Sequence, residues 1–390
     1  MTGAMYAAVA GLRTHMSALN VISHNVANVN TMAYKSTRYT FNEALYLTVR
    51  AGSNGNRQLG GQNPAQVGYG ASIGTIDLDM TTKNYAPTGK ALDVMIDGDG
   101  FFVLGDNKTT TGILRESELQ GMTLSRLGNF EFDANGYLVD GNGSLVYGFL
   151  RHTSKEDYVR ENELSEEEAD AVQEEELTSP ILTPIRLPMC TITSSRINSD
   201  GNYGSDDQEE VPGAKLYTSI LWPTQTEEGT VEDGVAPEDA EGVIPERLQP
   251  NSVSVDKTGL ISAVTKDKQV VVVGFIAIAS VDNPNGVTHI DGRYYQALGG
   301  AGRVKLSTVG GAFVYKPDLE EIQGGDALLS ELTIEGSGGT ELVPNGLESS
   351  GTDLANEITN MIVIQRGYQA NTRIVSVTDS MLEELVNMKR

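Results

Sequence analysis

Four histidines, one cysteine and a scatter of carboxylates are the groups in this 390-residue chain that could do chemistry. A zinc site needs His or Cys ligands at short, fixed spacings. His15, His24, His152 and His289 have no such neighbours, so no metal centre is expected. The stretch Asp200–Glu210 has the acidic density of a calcium loop, but Ser205 stands where the loop needs glycine and Val211 where it needs a bidentate glutamate. The glycines around Gly68–Gly70 and Gly299–Gly302 lack the strand-then-helix setting of a phosphate cradle and read as turns. No Ser-His-Asp or Cys-His set can be argued from spacing. Cys190 reads as a small buried hydrophobe, with a cross-linking thiolate as the sharper alternative. No catalytic residue and no cofactor is therefore expected, and a secreted enzyme or glycan-binding module on a β scaffold is the weaker reading.

The totals narrow the classes further. Net charge is −25, which argues against nucleic acid and against an anionic membrane surface. No apolar run reaches the length of a membrane span, so no membrane insertion is expected. The first dozen residues are apolar but lack a basic start, so no cleaved signal peptide is expected. A single cysteine excludes an intrachain disulfide framework. Forty-three glycines in scattered turn positions favour many short strands in the middle of the chain.

The elements that organise the chain are its two ends. Met5, Val9, Leu12, Met16 and Leu19 step by four and three, and Ile22 and Val26 continue the stripe. Near the other end, Leu354, Ile358 and Met361 keep the same steps, as do Ile374, Thr378, Met381, Leu385 and Met388. Such spacing predicts two amphipathic helices of heptad character, at 1–30 and 347–390, paired with each other as a coiled coil. The proline-free second helix would run roughly 50 Å at about 1.5 Å per residue. Ser350-Gly-Thr-Asp353 reads as a capping box at its start, with Glu357 one turn on. The stripes are poor in leucine and rich in alanine and methionine, so either helix alone would be marginal in water.

Between the helices the texture is β. Residues 31–75 read as an extended linker, and AGSNGNRQLGGQNPAQVGYGAS within it as an open loop. Residues 76–155 and 250–346 read as two halves of one β domain, sandwich-like or barrel-like. Its signals are Asp93–Asp97, Phe101–Leu104, the hairpin Phe130–Val139 with Asn135-Gly136 at its turn, a second turn at Asp140–Gly143, and the apolar strand Gln269–Ser280. Residues 156–249 hold 24 Asp and Glu against five Lys and Arg and read as a separate acidic outer domain, with an acidic insertion at Glu161–Glu176. The expected fold is thus mixed: terminal α-helices with β-rich middle domains nested between them.

Residues 17–38, SALNVISHNVANVNTMAYKSTR, resemble the N-terminal signature of the flagellar rod and hook protein family, through Asn25, Ala27, Asn28, Asn30, Thr31, Tyr34 and Lys35. Residues 358–390 resemble its C-terminal signature, through Asn360, Met361, Gln365, Arg366, Tyr368, Gln369, Ala370, Asn371, Met381, Leu385, Val386 and Asn387. Asp97–Val103, Leu127–Phe130, Tyr137–Val139 and Val281–Gly286 are similar to the family's middle β domain. His24 stands where the family often has asparagine, and Met32-Ala33 where a glycine-containing pair is common. The length and the inserted region resemble the hook branch more than the shorter rod branch.

The resemblance implies a structural subunit of the hook, outside the cell, exported without a cleaved signal. It implies a hollow, flexible tube that joins rod to filament and transmits torque, with a straight distal-rod subunit as the alternative. The implied partners are further copies of the chain, the rod and hook-filament junction proteins, the hook cap and the flagellar type III export apparatus. The residues expected to form the polymerisation core are the helix stripes above together with Asn28, Asn30, Tyr34, Lys35, Gln365, Arg366, Tyr368 and Asn371. Residues 31–75 are expected to contact neighbouring subunits.

Overall fold

The computed structural model describes residues 2–54, 60–105, 119, 121–153, 155–161, 177–196, 210–222, 224–225, 231–232, 244–250, 252–265, 268–309, 314–317, 329–333 and 340–388. Most of the acidic run Glu161–Glu176 and of the calcium-loop candidate Asp200–Glu210 lies outside them. The chain divides into two compact units, one built from both ends (1–80 and 349–390), the other from 81–348.

The first unit holds two long helices, α1 (Thr2–Ala27) and the C-terminal helix Leu354–Asn387, called α3 here because the short helix α2 (Lys155–Glu161) precedes it. The carboxylate of Asp353 caps α3, accepting from the amides of Ala355 at 3.0 Å and Asn356 at 3.2 Å. Ser350, expected within the cap, instead donates its hydroxyl to the Asn28 carbonyl at 2.9 Å. A charged carboxylate one residue before the helix is the stronger acceptor for the orphan amides, which releases the serine.

Four strands complete this unit: β1 (Thr37–Glu43), β2 (Tyr46–Arg50), β3 (Ala65–Gly68) and β4 (Ala71–Leu78). They form two antiparallel ribbons, β1 with β4 and β2 with β3. The stretch expected as an open loop therefore supplies a strand. The ladder of β2 needs only backbone partners, so a polar, glycine-rich segment can satisfy it. β4 lies against α1, where Thr14 Oγ1 donates to the Ala71 carbonyl at 2.8 Å. The approach is close: Gly70 has φ 113°, and a methyl there would meet Ala10 Cβ at 2.9 Å.

Most described strands of the second unit join one branched antiparallel network; Met189–Arg196, Glu210–Leu221 and Ile244–Arg247 form a separate three-stranded sheet, and two short ribbons stand apart from both. Leu145–Arg151 is buried along its whole length and pairs with Phe101–Gly105, Val270–Val281, Thr178–Pro184 and Leu138–Asp140. Burial on both faces explains its unbroken apolar run LVYGFL. The two turns read from the sequence are present. Asp133 Oδ1 accepts from the Asn135 and Tyr137 amides, and Asp140 Oδ1 from those of Asn142 and Ser144. Gly148 sits where a methyl would lie 2.2 Å from the Phe275 carbonyl oxygen, so only glycine lets these strands meet.

A few described residues of 156–249 join this core. Ile185, Leu187, Cys190 and Leu248 belong to the same buried cluster as Val94, Phe102, Phe130 and Ile276. The acidic composition lies mainly on residues outside those described; the apolar remainder packs inward for the usual reason. Cys190 is fully buried there.

One buried ion pair ties the last residue of this unit to its interior. Arg126 and Glu348 are 3% and 1% exposed in their side chains, with Nε and Oε2 3.4 Å apart. The guanidinium also donates to the carbonyls of Ile96, Gly98 and Gly100, and Glu348 Oε1 accepts from the Lys83 amide at 2.8 Å. Both charges are thus hydrogen-bonded as well as paired, as burial demands.

Candidate assembly interface

α1 and α3 run antiparallel and touch along a seam of small and polar residues. A methyl on Gly11 would lie 2.5 Å from the Asn371 amide nitrogen, and one on Gly367 would lie 2.8 Å from the His15 ring. Each glycine is a notch that receives a polar side chain of the other helix. Between them and the end of α1 lies the apolar cluster Ala18, Ile22 and Ile364, flanked by Leu19, Val26, Tyr39 and Met361. Along α1 the seam residues Gly11, His15, Ala18, Ile22 and Asn25 step by four and three. Gly11–Asn371, His15–Gly367 and Asn25–Glu357 keep one constant register.

The end of α1 is stitched to the start of α3 by polar contacts. Asn25 is buried; its Nδ2 donates to Glu357 Oε1 at 2.9 Å and to the Thr37 carbonyl at 2.8 Å. Its Oδ1 accepts from Tyr34 Oη at 2.9 Å, the Thr37 amide at 3.0 Å and Thr37 Oγ1 at 3.2 Å. Thr352 Oγ1 donates to the Asn25 carbonyl, and the Gly351 amide to that of Tyr34. Burial, with the Glu357 charge adding to it against the lowering effect of Thr37, pushes the Tyr34 phenol up to about 12. Ala33 beside it holds φ 57°, a left-handed conformation that glycine adopts freely, at the position where the family commonly has a glycine-containing pair.

The apolar stripes named from the sequence divide in two. Ile22 is buried, and Val9, Leu12, Leu19, Val26 and Met361 are half-buried. Met5, Met16, Leu354, Ile358, Ile374, Met381, Leu385 and Met388 are exposed. Ile362, Val363 and Val377 add to that outward apolar face, which the described residues of the first unit leave uncovered. α3 is also longer than α1: in the register above Thr2 stands level with Ser380, so Met381–Asn387 run past the end of α1. Among the polar residues named, Lys35 is buried, with Nζ 3.4 Å from the Met80 carbonyl it donates to. Asn28 Nδ2 donates to the His24 carbonyl, and Tyr368 is half-buried. Asn30, Gln365 and Arg366 face outward.

The β2–β3 ribbon carries a second apolar face. Leu47 and Val49 alternate along β2, Leu45 directly precedes it, Val67 pairs with Leu47, and all four are more than half exposed. Among the described residues no group of three or more His, Cys, Asp or Glu is placed to hold a metal ion. None of their helices is long and apolar enough to cross a membrane.

Residues 5–35 match the family described as Flagella basal body rod protein, and residues 344–388 match Flagellar basal body rod FlgEFG protein C-terminal. These matches support a flagellar hook or rod protein. The two matched segments are α1 with its following turn, and the strand that leads into α3 with α3 itself, the parts that build the seam. Over the full length of both chains it is 28% identical to the Flagellar basal-body rod protein FlgG of Bacillus subtilis (strain 168). Over the same full coverage it is 22% identical to the Flagellar hook protein FlgE of Borreliella burgdorferi (strain ATCC 35210 / DSM 4680 / CIP 102532 / B31). The crystal structure of Helicobacter pylori flagellar hook protein FlgE2 aligns to 67% of this chain and 100% of that one, with TM-score 0.32 and 11% identity, too low to inform the fold. The family is a structural component of the flagellum.

The seam residues Gly11, His15, Asn25, Glu357 and Gly367 were not on the apolar stripes. Two mid-helix glycines, each destabilising by about 1 kcal/mol relative to alanine, were the available signal for close helix approach.

Proposed function

We propose that this chain is a structural subunit of the flagellar axial tube and that it builds the hook. One observation carries the reading: the helix pair turns an apolar face outward that nothing in its own unit covers. In a polymer that face is buried against further copies, and the two terminal helices close as a coiled coil in the tube's inner layer. The seam is weak by construction. It holds two glycine notches, and His15 Nδ1 has no hydrogen-bond partner. Such helices stay loose enough to be passed unfolded through the type III export apparatus and gain order when neighbours cover them. The β2–β3 ribbon, too small to be stable by itself, lies on an adjacent subunit. The 81–348 unit forms the outer layers, which slide as the tube bends while the helices carry torque. The rod below, the junction proteins above and a cap at the growing end are the expected partners, outside the cell.

The full-length likeness to a relative named as a rod protein favours one second reading, a straight distal-rod subunit. Electron microscopy of the concentrated purified protein tests both. Curved, flexible tubes support the hook, straight rigid tubes the rod, and the absence of any tube from the intact chain overturns the proposal.

A further inference from the structure

We infer that Asn25, acting through Glu357, sets the register in which the terminal helices close, and so decides which apolar face the pair turns outward. It is a positioning residue. Heptad stripes alone do not fix a register, because a slip of three or four residues brings a similar stripe into contact. A single buried polar pair does, since every other alignment leaves its donors and acceptors unmet. Asn25 and Glu357 are that pair. The amide is buried at the end of α1 with both of its ends engaged: two acceptors take its Nδ2 protons and three donors point at its Oδ1.

Two features show that the register matters to the rest of the seam. The Gly11 notch under Asn371 and the Gly367 notch under His15 fall on the alignment that Asn25–Glu357 defines. Moving α3 along by one residue puts Arg366 or Tyr368 where Gly367 meets His15 and takes Asn371 off Gly11, and the helix must rotate by about 100° to recover contact. That rotation would turn Ile362 and Val363 away from the outward face. The last step rests on the proposed polymer; the register itself does not.

The test inverts the donor and the acceptor. In Asn25→Asp an oxygen replaces Nδ2 and faces both the Glu357 carboxylate and the Thr37 carbonyl. Glu357→Gln keeps an acceptor and loses little. In the double variant the new glutamine amide donates back to the new carboxylate. Amide exchange over residues 354–364 of the full chain, read by mass spectrometry, is expected to rise about tenfold in Asn25→Asp, less than about threefold in Glu357→Gln, and to return most of the way in the double variant. A merely structural asparagine gives no such rescue. Wild-type exchange in Asn25→Asp, or equal exchange in the single and double variants, overturns the inference. Sedimentation of the same samples reads polymer formation separately: a latch that behaves as expected in a chain that forms no polymer counts against the proposed function alone.

Discussion

Ile22 and Ile364 share one buried cluster between α1 and α3, 0% and 5% exposed, while Val363, next to Ile364 in the chain, is 62% exposed. Adjacent residues of one helix, about 100° apart around its axis, thus serve different faces of it. Ile364→Ala removes apolar volume from a closed site and is expected to weaken the helix pair by about 2 kcal/mol, the low end for so small a cluster. Val363→Lys is expected to change the monomer by less than about 0.5 kcal/mol yet to stop polymer growth. Helix melting by circular dichroism, set against sedimentation of assembled material, separates the two effects.

Removal of 354–390 takes away α3 and leaves every residue of the 81–348 unit in place. The truncated chain is expected to keep the unfolding transition of its β network and to form no polymer. Loss of that transition, or normal tubes from the truncated chain, is the contrary result.

The Arg126–Glu348 pair offers a sharper test of the second unit. Arg126→Met strands a buried carboxylate and is expected to cost about 3–5 kcal/mol in denaturant unfolding. Pairing it with Glu348→Leu removes the stranded charge, so the double variant should recover most of that loss. Additive losses in the double variant would show that the two charges do not compensate each other.

Tyr34 gives the first unit an alkaline limit. Its phenol is raised to about 12 from 10.0 by burial first. The neutral form is therefore favoured by folding, so its contribution is whole below pH 10.0 and is lost as pH rises toward about 12. Helix content is expected to fall across that window, and Tyr34→Phe, which cannot ionise, should shift the fall upward. Ultraviolet difference absorbance together with circular dichroism reads both.

Much of this architecture was legible from residue pattern alone. The end helices announced themselves by three-and-four spacing, and the turns at Asp133–Gly136 and Asp140–Gly143 by their Asp, Asn and Gly. The contact face of α3 was harder to read. A hydrophobic pattern picks out Leu354, Ile358 and Ile374, which are exposed, because the seam itself contains Glu357, Gly367 and Asn371. Where helices meet through notches and hydrogen bonds, burial and hydrophobicity part company. The β2–β3 ribbon was hidden for a related reason: backbone pairing leaves little trace in a polar sequence. The joining of Cys190 and Leu248 to the Val94 cluster depends on contacts far apart in the chain, which no local pattern encodes.

The unit built from residues 1–80 and 349–390 has its two parts at opposite extremes of the polypeptide. A product that breaks off anywhere within 81–348 lacks α3, and α1 is then left without the helix it packs on. If the proposed tube grows through this unit, it takes up only molecules that carry both stretches, a check on its building blocks that needs no separate inspector.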